Sequence, residues 1–587
     1  MELNLFLKES RRLAKRISKE PYERVDTRIA VLGTDSIQYF VMALRYVLDK
    51  ENIHADIYEG EYDGIAMDVM DESSPLYAFN PDIVILIPDY REIKEYPEAL
   101  ESDEAVRSLL NAASGKYEYY WQKISSRLHC QILQSNVVIP PERLYGNLEK
   151  SLPYSMSGFL SSLNETLLKK APSNVTIIDT DALAANIGKW NWFDDQAYFL
   201  SKSGYRLDYI RENVLQYVRQ IKAIRGKVRK CLVLDLDNTL WGGIVGDDGW
   251  DGIQLDPNNA VGEAYREFQR YILKLKKRGV ILAVVSKNDI ENAKEPFEKN
   301  QNMLLKLDDI ASFQANWDDK VTNIKRVAKE LNIGTDSLVF FDDNPAEREI
   351  VRQYLPEVMV IDVPADAALY KRALDQVAPF EWRELTREDV LRSNSYIENR
   401  KRAELQTRFD NYDEYLQSLE MKCSVREPKA SEVSRFAQLL NKSNQFNLRT
   451  QRYTESEIEA AAAAADESRK CLCAVFSDKF SEYGIISCVI LEKQDDCCFV
   501  ESWVMSCRVL KRGVELLVFR AVLEAAKAWN CRYIKGQYLP SPKNRMVSDF
   551  YDTLGFELVS ESGGEKLYRY STDLPFDRKI FIEETDS

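Results

Sequence analysis

Residues 229–243 read Arg-Lys-Cys-Leu-Val-Leu-Asp-Leu-Asp-Asn-Thr-Leu-Trp-Gly-Gly. No other stretch constrains the fold as much. Its first half is a short apolar run, the pattern of a strand buried on both faces of a parallel sheet. The run stops at Asp235 and Asp237, which lie two apart and share a side of an extended backbone. Two like charges at one place are costly unless a cation or hydrogen bonds compensate. A strand end in an open α/β sheet is also where ligands bind. The alternative is a polar strand exit with no chemistry.

Two further runs of the same kind follow. Residues 281–285 end in Ser286-Lys287-Asn288-Asp289, and residues 337–341 end in Asp342-Asp343-Asn344-Pro345. Between them, Trp317-Asp318-Asp319-Lys320 opens an amphipathic segment, 321–331. Asp-x-Asp-x-Thr, a strand-end Ser, a Lys and a strand-end Asp pair, in that order, resemble the four motifs of the haloacid dehalogenase (HAD) superfamily. The strings DLDNTLWGGIVGDDG, VVSKND and FFDDNPAER resemble its FkbH-like branch, HAD subfamily IIIC. The likeness is strong over 228–365 and weaker beyond.

That resemblance implies a role for each residue. Asp235 would attack phosphorus, and Asp237 would protonate the leaving oxygen and later activate water. Mg²⁺ would be held by Asp235, the backbone carbonyl of Asp237, and Asp342, with Asp343 in support. Ser286 and Lys320 would meet the phosphoryl oxygens, with Thr239 and Asn288 as lesser phosphate-binding candidates. For Ser286 and Lys320 the alternative is an ordinary structural or solvated side chain. The gaps 237–286 and 286–320 hold no large cap domain. An open site would admit a macromolecular substrate, such as a phosphopantetheine arm on an acyl carrier protein.

Length of 587 residues suggests about three domains. A net charge of −15 argues against nonspecific nucleic-acid or anionic-membrane binding. No apolar run is long enough to span a membrane. Residues 1–22 are amphipathic and basic without the apolar core of a secretory signal. The ten cysteines show no metal-ligand spacing: 471/473 and 497/498 are too close for a zinc knuckle. They are read as reduced, and the protein as cytoplasmic.

Residues 1–225 alternate strands (28–33, 53–58, 82–88, 136–140, 175–179) with helices, a doubly wound α/β domain. The strings LGTDS and FDDQAYFLSKSGY resemble the SGNH-like region that accompanies some FkbH-like proteins. Ser36 would then be a nucleophile; the alternative is a Ser capping the next helix. Only His54 and His129 exist as a base, and none falls at 200–219, where it is needed. This domain is expected to be structural or partner-docking.

The fold expected is therefore a Rossmann-like HAD core at 226–365, after the SGNH-like domain and before a helical linker, 366–420. Residues 421–572 resemble the α+β GNAT acyltransferase fold, with DFYDTLGF near the end, and an acidic tail at 573–587 is expected to fray. In that fold a loop before the long helix binds acyl-CoA pyrophosphate. Here it reads Arg508-Val509-Leu510-Lys511-Arg512-Gly513, with Lys511 where a Gly is expected, so cofactor binding by Arg508, Lys511, Arg512 and Gly513 and a fold without CoA are both open. FkbH-like proteins take a glyceryl unit from 1,3-bisphosphoglycerate, remove phosphate, and load a carrier-protein thiol. Cys507 or Cys231 would be the way station if a protein thiol is used. Alternatives are a phosphatase acting on a phosphorylated sugar or metabolite in surface-polysaccharide or secondary-metabolite biosynthesis, and a non-catalytic scaffold.

Overall fold

The computed structural model describes residues 3–382, 385, 389–390, 396, 398, 402, 405, 409, 411–443, 445–453, 455–463, 468–506, 509–541 and 543–585. The chain divides into two compact units, Met1–Ile221 and Lys222–Ser587.

The first unit is built on a parallel sheet of β1 (Thr27–Gly33), β2 (Ala55–Glu59), β3 (Ile83–Ile87), β4 (Gln131–Ser135) and β5 (Val175–Ile178), in the order β2-β1-β3-β4-β5. Both faces are covered by helices, so the strands carry continuous apolar runs rather than alternation. The fourth strand is not at 136–140 as expected. Gln131-Ile132-Leu133-Gln134-Ser135 is buried throughout, and Gln134 Oε1 accepts the indole N–H of Trp121. Beyond it, Val137 N–H and C=O turn to the Asn164 side chain, and Pro140-Pro141 cannot donate to a ladder.

The second unit opens with a parallel sheet, β6 (Cys231–Leu234), β7 (Ile281–Ser286), β8 (Ser312–Ala315), β9 (Leu338–Phe341) and β10 (Met359–Val360), ordered β10-β9-β6-β7-β8. Alternation along β6 feeds two cores. Leu232 and Leu234 pack with Phe268, Phe341 and Tyr370, whereas Cys231 and Val233 pack with Ile324, Val327 and Phe340 on the other face. Tyr370, Leu374 and Phe380 are buried in the first of these cores. The HAD core therefore extends past 365, because the helix Tyr370–Val377 presents an apolar face to it. Much of the helical linker expected at 366–420, from 383 to 410, lies outside the described residues.

The last third forms one eight-stranded sheet: β11 (Met421–Arg426), β12 (Arg469–Asp478), β13 (Ser481–Gln494), β14 (Cys497–Met505), β15 (Tyr533–Tyr538), β16 (Glu557–Ser562), β17 (Glu565–Ser571) and β18 (Ile582–Glu584). The order is β16-β17-β15-β14-β13-β12-β11-β18. Pairing is antiparallel except between β14 and β15 and between β11 and β18. The long helix Val514–Ala528 packs on this sheet through Leu517, Val518, Phe519 and Val522. This is the GNAT-like α+β layout expected from the sequence. The tail does not fray as expected. Phe576, Ile580 and Phe581 pack against the core, and Ile582–Glu584 adds an edge strand parallel to β11.

Candidate active site

The tips of β6, β7 and β9, with the start of the helix Lys320–Glu330, bring the motif residues together. After β6 the chain must turn sharply, and Asn238 takes a positive φ of 52°, a conformation Asn tolerates through local side-chain bonding. Its Oδ1 accepts the N–H of Gly243 (3.0 Å), and its carbonyl accepts the Tyr370 hydroxyl (2.9 Å). That turn sets Asp235 and Asp237 at the mouth of the sheet.

Lys320 is the centre of the charge arrangement. It is 2% exposed, with Nζ 2.7 Å from Asp235 Oδ1 and 3.1 Å from Asp342 Oδ2. It also donates to the Val285 carbonyl at 2.8 Å. Burial alone would lower its pKa, but the charges of Asp235 and Asp342 outweigh burial and hold the ammonium above its ordinary range. The acids feel the opposite stress. Burial, then the charge of Asp235, pushes Asp342 up to about 7 and Asp343 up to about 6.

Asp237 is fixed by three donors. Its Oδ1 accepts Trp241 Nε1 and Val245 N–H, both at 2.9 Å, and its Oδ2 accepts Asn288 Nδ2 at 3.1 Å. Burial raises its carboxyl pKa despite these bonds. Asn288 thus holds the second aspartate. Thr239 is fully buried, and its hydroxyl accepts the N–H of Asp343 at 3.3 Å. Ser286 lies at the tip of β7, 2% exposed. Asn344 N–H donates to Asp342 Oδ1 at 2.8 Å, and Arg348 donates to the carbonyls of Asp342 and Asp343, both at 2.7 Å.

Asp235, Asp342 and Asp343 each offer one carboxylate oxygen, and these oxygens lie within 4.8 Å of one another. Three carboxylates gather around the single ammonium of Lys320, which pairs with Asp235 Oδ1 and Asp342 Oδ2. This all-oxygen set carries surplus negative charge and suits a hard divalent cation such as Mg²⁺.

Four side chains absent from the sequence reading shape the site: Trp241, Asn344, Arg348 and Tyr370. Trp241 was legible in principle, since a large aromatic four residues after Asp237 in a polar loop needs a burial site and a partner for its N–H. Tyr370 fell beyond the boundary drawn at 365.

Other candidates lie elsewhere. Cys231 is fully buried on the face of β6 opposite Leu234, and burial pushes its thiol pKa far up. It is not an accessible way station. Cys507 and Arg508 lie outside the described residues. Arg512 is not free for phosphate: it donates to Asp478 Oδ2 and to the Tyr483 hydroxyl, both at 3.0 Å. Ser36 sits just past the carboxyl end of β1, while His54 and His129 precede β2 and β4. In a parallel sheet these are opposite edges, so neither histidine serves Ser36 as a base. Nor does Ser36 cap the helix Gln38–Lys50, whose N-cap is Ile37.

A parallel five-stranded sheet with a Lys-bridged acid cluster at its strand tips, in this motif order, defines a protein with a HAD-type core. The family described as FkbH, N-terminal domain, matches residues 28–218. The solved structure of the N-terminal part of a Bacteroides fragilis protein, containing a phosphatase domain complexed with Mg, is 34% identical, covering 64% of this chain and 99% of that one at a TM-score of 0.58. The chain belongs to the same family as that phosphatase-domain protein. A GNAT-family acetyltransferase from Streptococcus pneumoniae (16% identity, 26% of this chain, 99% of that one, TM-score 0.21) also matches. So does the PaiA N-acetyltransferase from Thermoplasma acidophilum in complex with coenzyme A (12%, 26%, 99%, 0.20). At those scores neither match carries weight for the C-terminal domain. No curated protein matches the chain.

Proposed function

We propose that the HAD core is a Mg²⁺-dependent phosphatase site that removes phosphate from an activated three-carbon glyceryl donor and hands the acyl unit to a carrier-protein thiol. The carrying observation is the Lys320 ammonium bridging Asp235 and Asp342 beside Asp343, which is the charge balance of a phosphoryl site. On the phosphate ester of the donor, Asp235 attacks phosphorus, the P–O bond to the alcohol oxygen breaks, and that oxygen takes its proton from Asp237. Water then attacks the aspartyl-phosphate, gives a proton back to Asp237, and releases inorganic phosphate. At the acyl phosphate the carrier thiolate attacks the carbonyl carbon, forming the thioester as the C–O bond to the second phosphate breaks and inorganic phosphate leaves. The raised pKa of Asp237 suits it to carry the proton. Lys320 offsets negative charge gathering at the phosphoryl oxygens. The hydroxyl of Ser286, without a partner among the described residues, is available to one of them. Asp235, Asp342 and Asp343 would hold Mg²⁺, which when bound supplies Lewis-acid neutralisation of the phosphate.

A second reading, plain hydrolysis of a phosphorylated sugar or metabolite, is favoured by one observation: all nine described cysteines are buried. Among the described residues no thiol is then accessible as a way station for the acyl unit. Intact-mass measurement decides between them. The protein is incubated with Mg²⁺ and 1,3-bisphosphoglycerate, with and without a phosphopantetheinylated carrier protein. A glyceryl adduct on the carrier is expected; phosphate release without an adduct points to the simple phosphatase, and neither product removes the glyceryl reading.

Metal binding should also displace protons. Asp342 and Asp343, raised to about 7 and about 6, are partly protonated in the metal-free site near neutrality. A cation requires both ionised. Mg²⁺ binding is therefore expected to release about one proton at pH 6.5 and almost none at pH 8.5, with affinity rising across that window. Calorimetry in two buffers of different ionisation enthalpy measures this. Identical heats in both at pH 6.5 would count against the assignment.

A further inference from the structure

We infer that the GNAT-like domain is closed to acyl-CoA, because the strand gap that would hold the pantetheine arm is filled by the chain itself, while an acidic first turn and a committed arginine stand where the pyrophosphate would lie. This does not depend on the phosphoryl chemistry proposed for the HAD core. Coenzyme A presents a pyrophosphate, which needs N–H donors or free cations, and a pantetheine arm whose two amides need backbone partners.

The pyrophosphate would use the N-terminus of the helix Val514–Ala528. Gly513 precedes it with φ 85° and no side-chain cap of its own. The first turn of the helix carries the acidic side chain of Glu515. Burial raises its pKa, and its Oε2 is buried without a hydrogen bond. A carboxyl in that first turn opposes the approach of a second anion. The neighbouring cation is also committed. Arg512, with its side chain 11% exposed, is held by Asp478, which also binds Arg402 at 2.8 Å. Lys511 is exposed, but its backbone is fixed at φ 63° with its carbonyl accepting the Tyr412 hydroxyl at 2.7 Å. Among the described residues of this loop Lys511 is the one cation left, and one lysine is not a pyrophosphate cradle.

The pantetheine arm would need unpaired strand edge. β14 and β15 pair in parallel only at Cys497–Phe499 with Tyr533–Lys535, and then separate. The gap is occupied by residues 446–449. Met505 N–H donates to the Phe446 carbonyl (3.2 Å), Leu448 N–H to the Trp503 carbonyl (3.3 Å), and Leu539 N–H to the Leu448 carbonyl (2.9 Å). Arg449 takes the carbonyl of Glu501 at 2.8 Å. The fully buried Asn544 completes the seam, donating to the carbonyls of Asn447 (2.8 Å) and Leu539 (2.9 Å). Phe446 packs against Phe550 at 4.8 Å, so the insert is anchored by a core residue as well as by hydrogen bonds. The segment acts as a short extra strand where a ligand's amides would otherwise pair.

Any acyl transfer by this protein consequently uses no CoA thioester at this domain. Hydrogen exchange on the full chain, with and without about 1 mM acetyl-CoA, tests the inference. Peptides covering 446–449, 500–505 and 511–517 are expected to exchange identically in both. Slowed exchange confined to other parts of the chain has the same meaning: the cofactor does not enter here. Slowed exchange in those three peptides on adding acetyl-CoA overturns it.

Discussion

Replacing Asp235 by Asn is expected to abolish phosphate release, by about a thousand-fold or more, while leaving the fold intact. The amide is the same size as the carboxylate but cannot attack phosphorus. Lys320 keeps Asp342 at 3.1 Å and the Val285 carbonyl at 2.8 Å, so no buried ammonium is stranded. Release of phosphate from para-nitrophenyl phosphate with Mg²⁺, beside a thermal melt, separates chemistry from folding. Retained activity in a folded variant would remove Asp235 from the nucleophile role.

The second large effect is on stability. Lys320→Met keeps the length of the side chain and deletes the ammonium that pairs with both Asp235 and Asp342. Breaking a buried ion pair by removing one partner typically costs about 3–5 kcal/mol. Here two carboxylates lose their partner together, at a position 2% exposed. Part of that cost is relieved by protonation, since Asp342 already titrates near 7. The metal-free variant is therefore expected to unfold at markedly lower denaturant than the parent, and added Mg²⁺ is expected to recover more stability in the variant than in the parent. Denaturant titrations of both proteins, with and without Mg²⁺, read this directly. Equal midpoints in the metal-free proteins would mean that the ammonium does not balance the cluster.

Much of this architecture was legible in the chain itself. Short apolar runs ending in acids or a serine located β6, β7 and β9, because a parallel strand buried on both faces has no room for polar residues until its tip. The order of Asp235, Asp237, Ser286, Lys320 and Asp342 placed them at one end of one sheet. What escaped follows from contacts that sequence spacing does not encode. Gln131 and Gln134 disguised β4, since their burial depends on partners such as Trp121. The tail 573–587 looks like a fraying acidic end, yet Phe576, Ile580 and Phe581 give it an apolar side. Asn288 reads as a phosphate contact, and its bond to Asp237 is not legible from spacing. Closure of the gap between β14 and β15 depends on residues 446–449 meeting strands more than fifty positions later. No local pattern announces such an insertion.

The covalent step itself is open to capture. The protein is mixed with Mg²⁺ and para-nitrophenyl phosphate, quenched in acid within a turnover, reduced with borohydride, and digested for peptide mass spectrometry. An aspartyl-phosphate at 235 would appear as homoserine at that position and nowhere else. Homoserine at 237, 342 or 343, or none during active turnover, would contradict attack by Asp235.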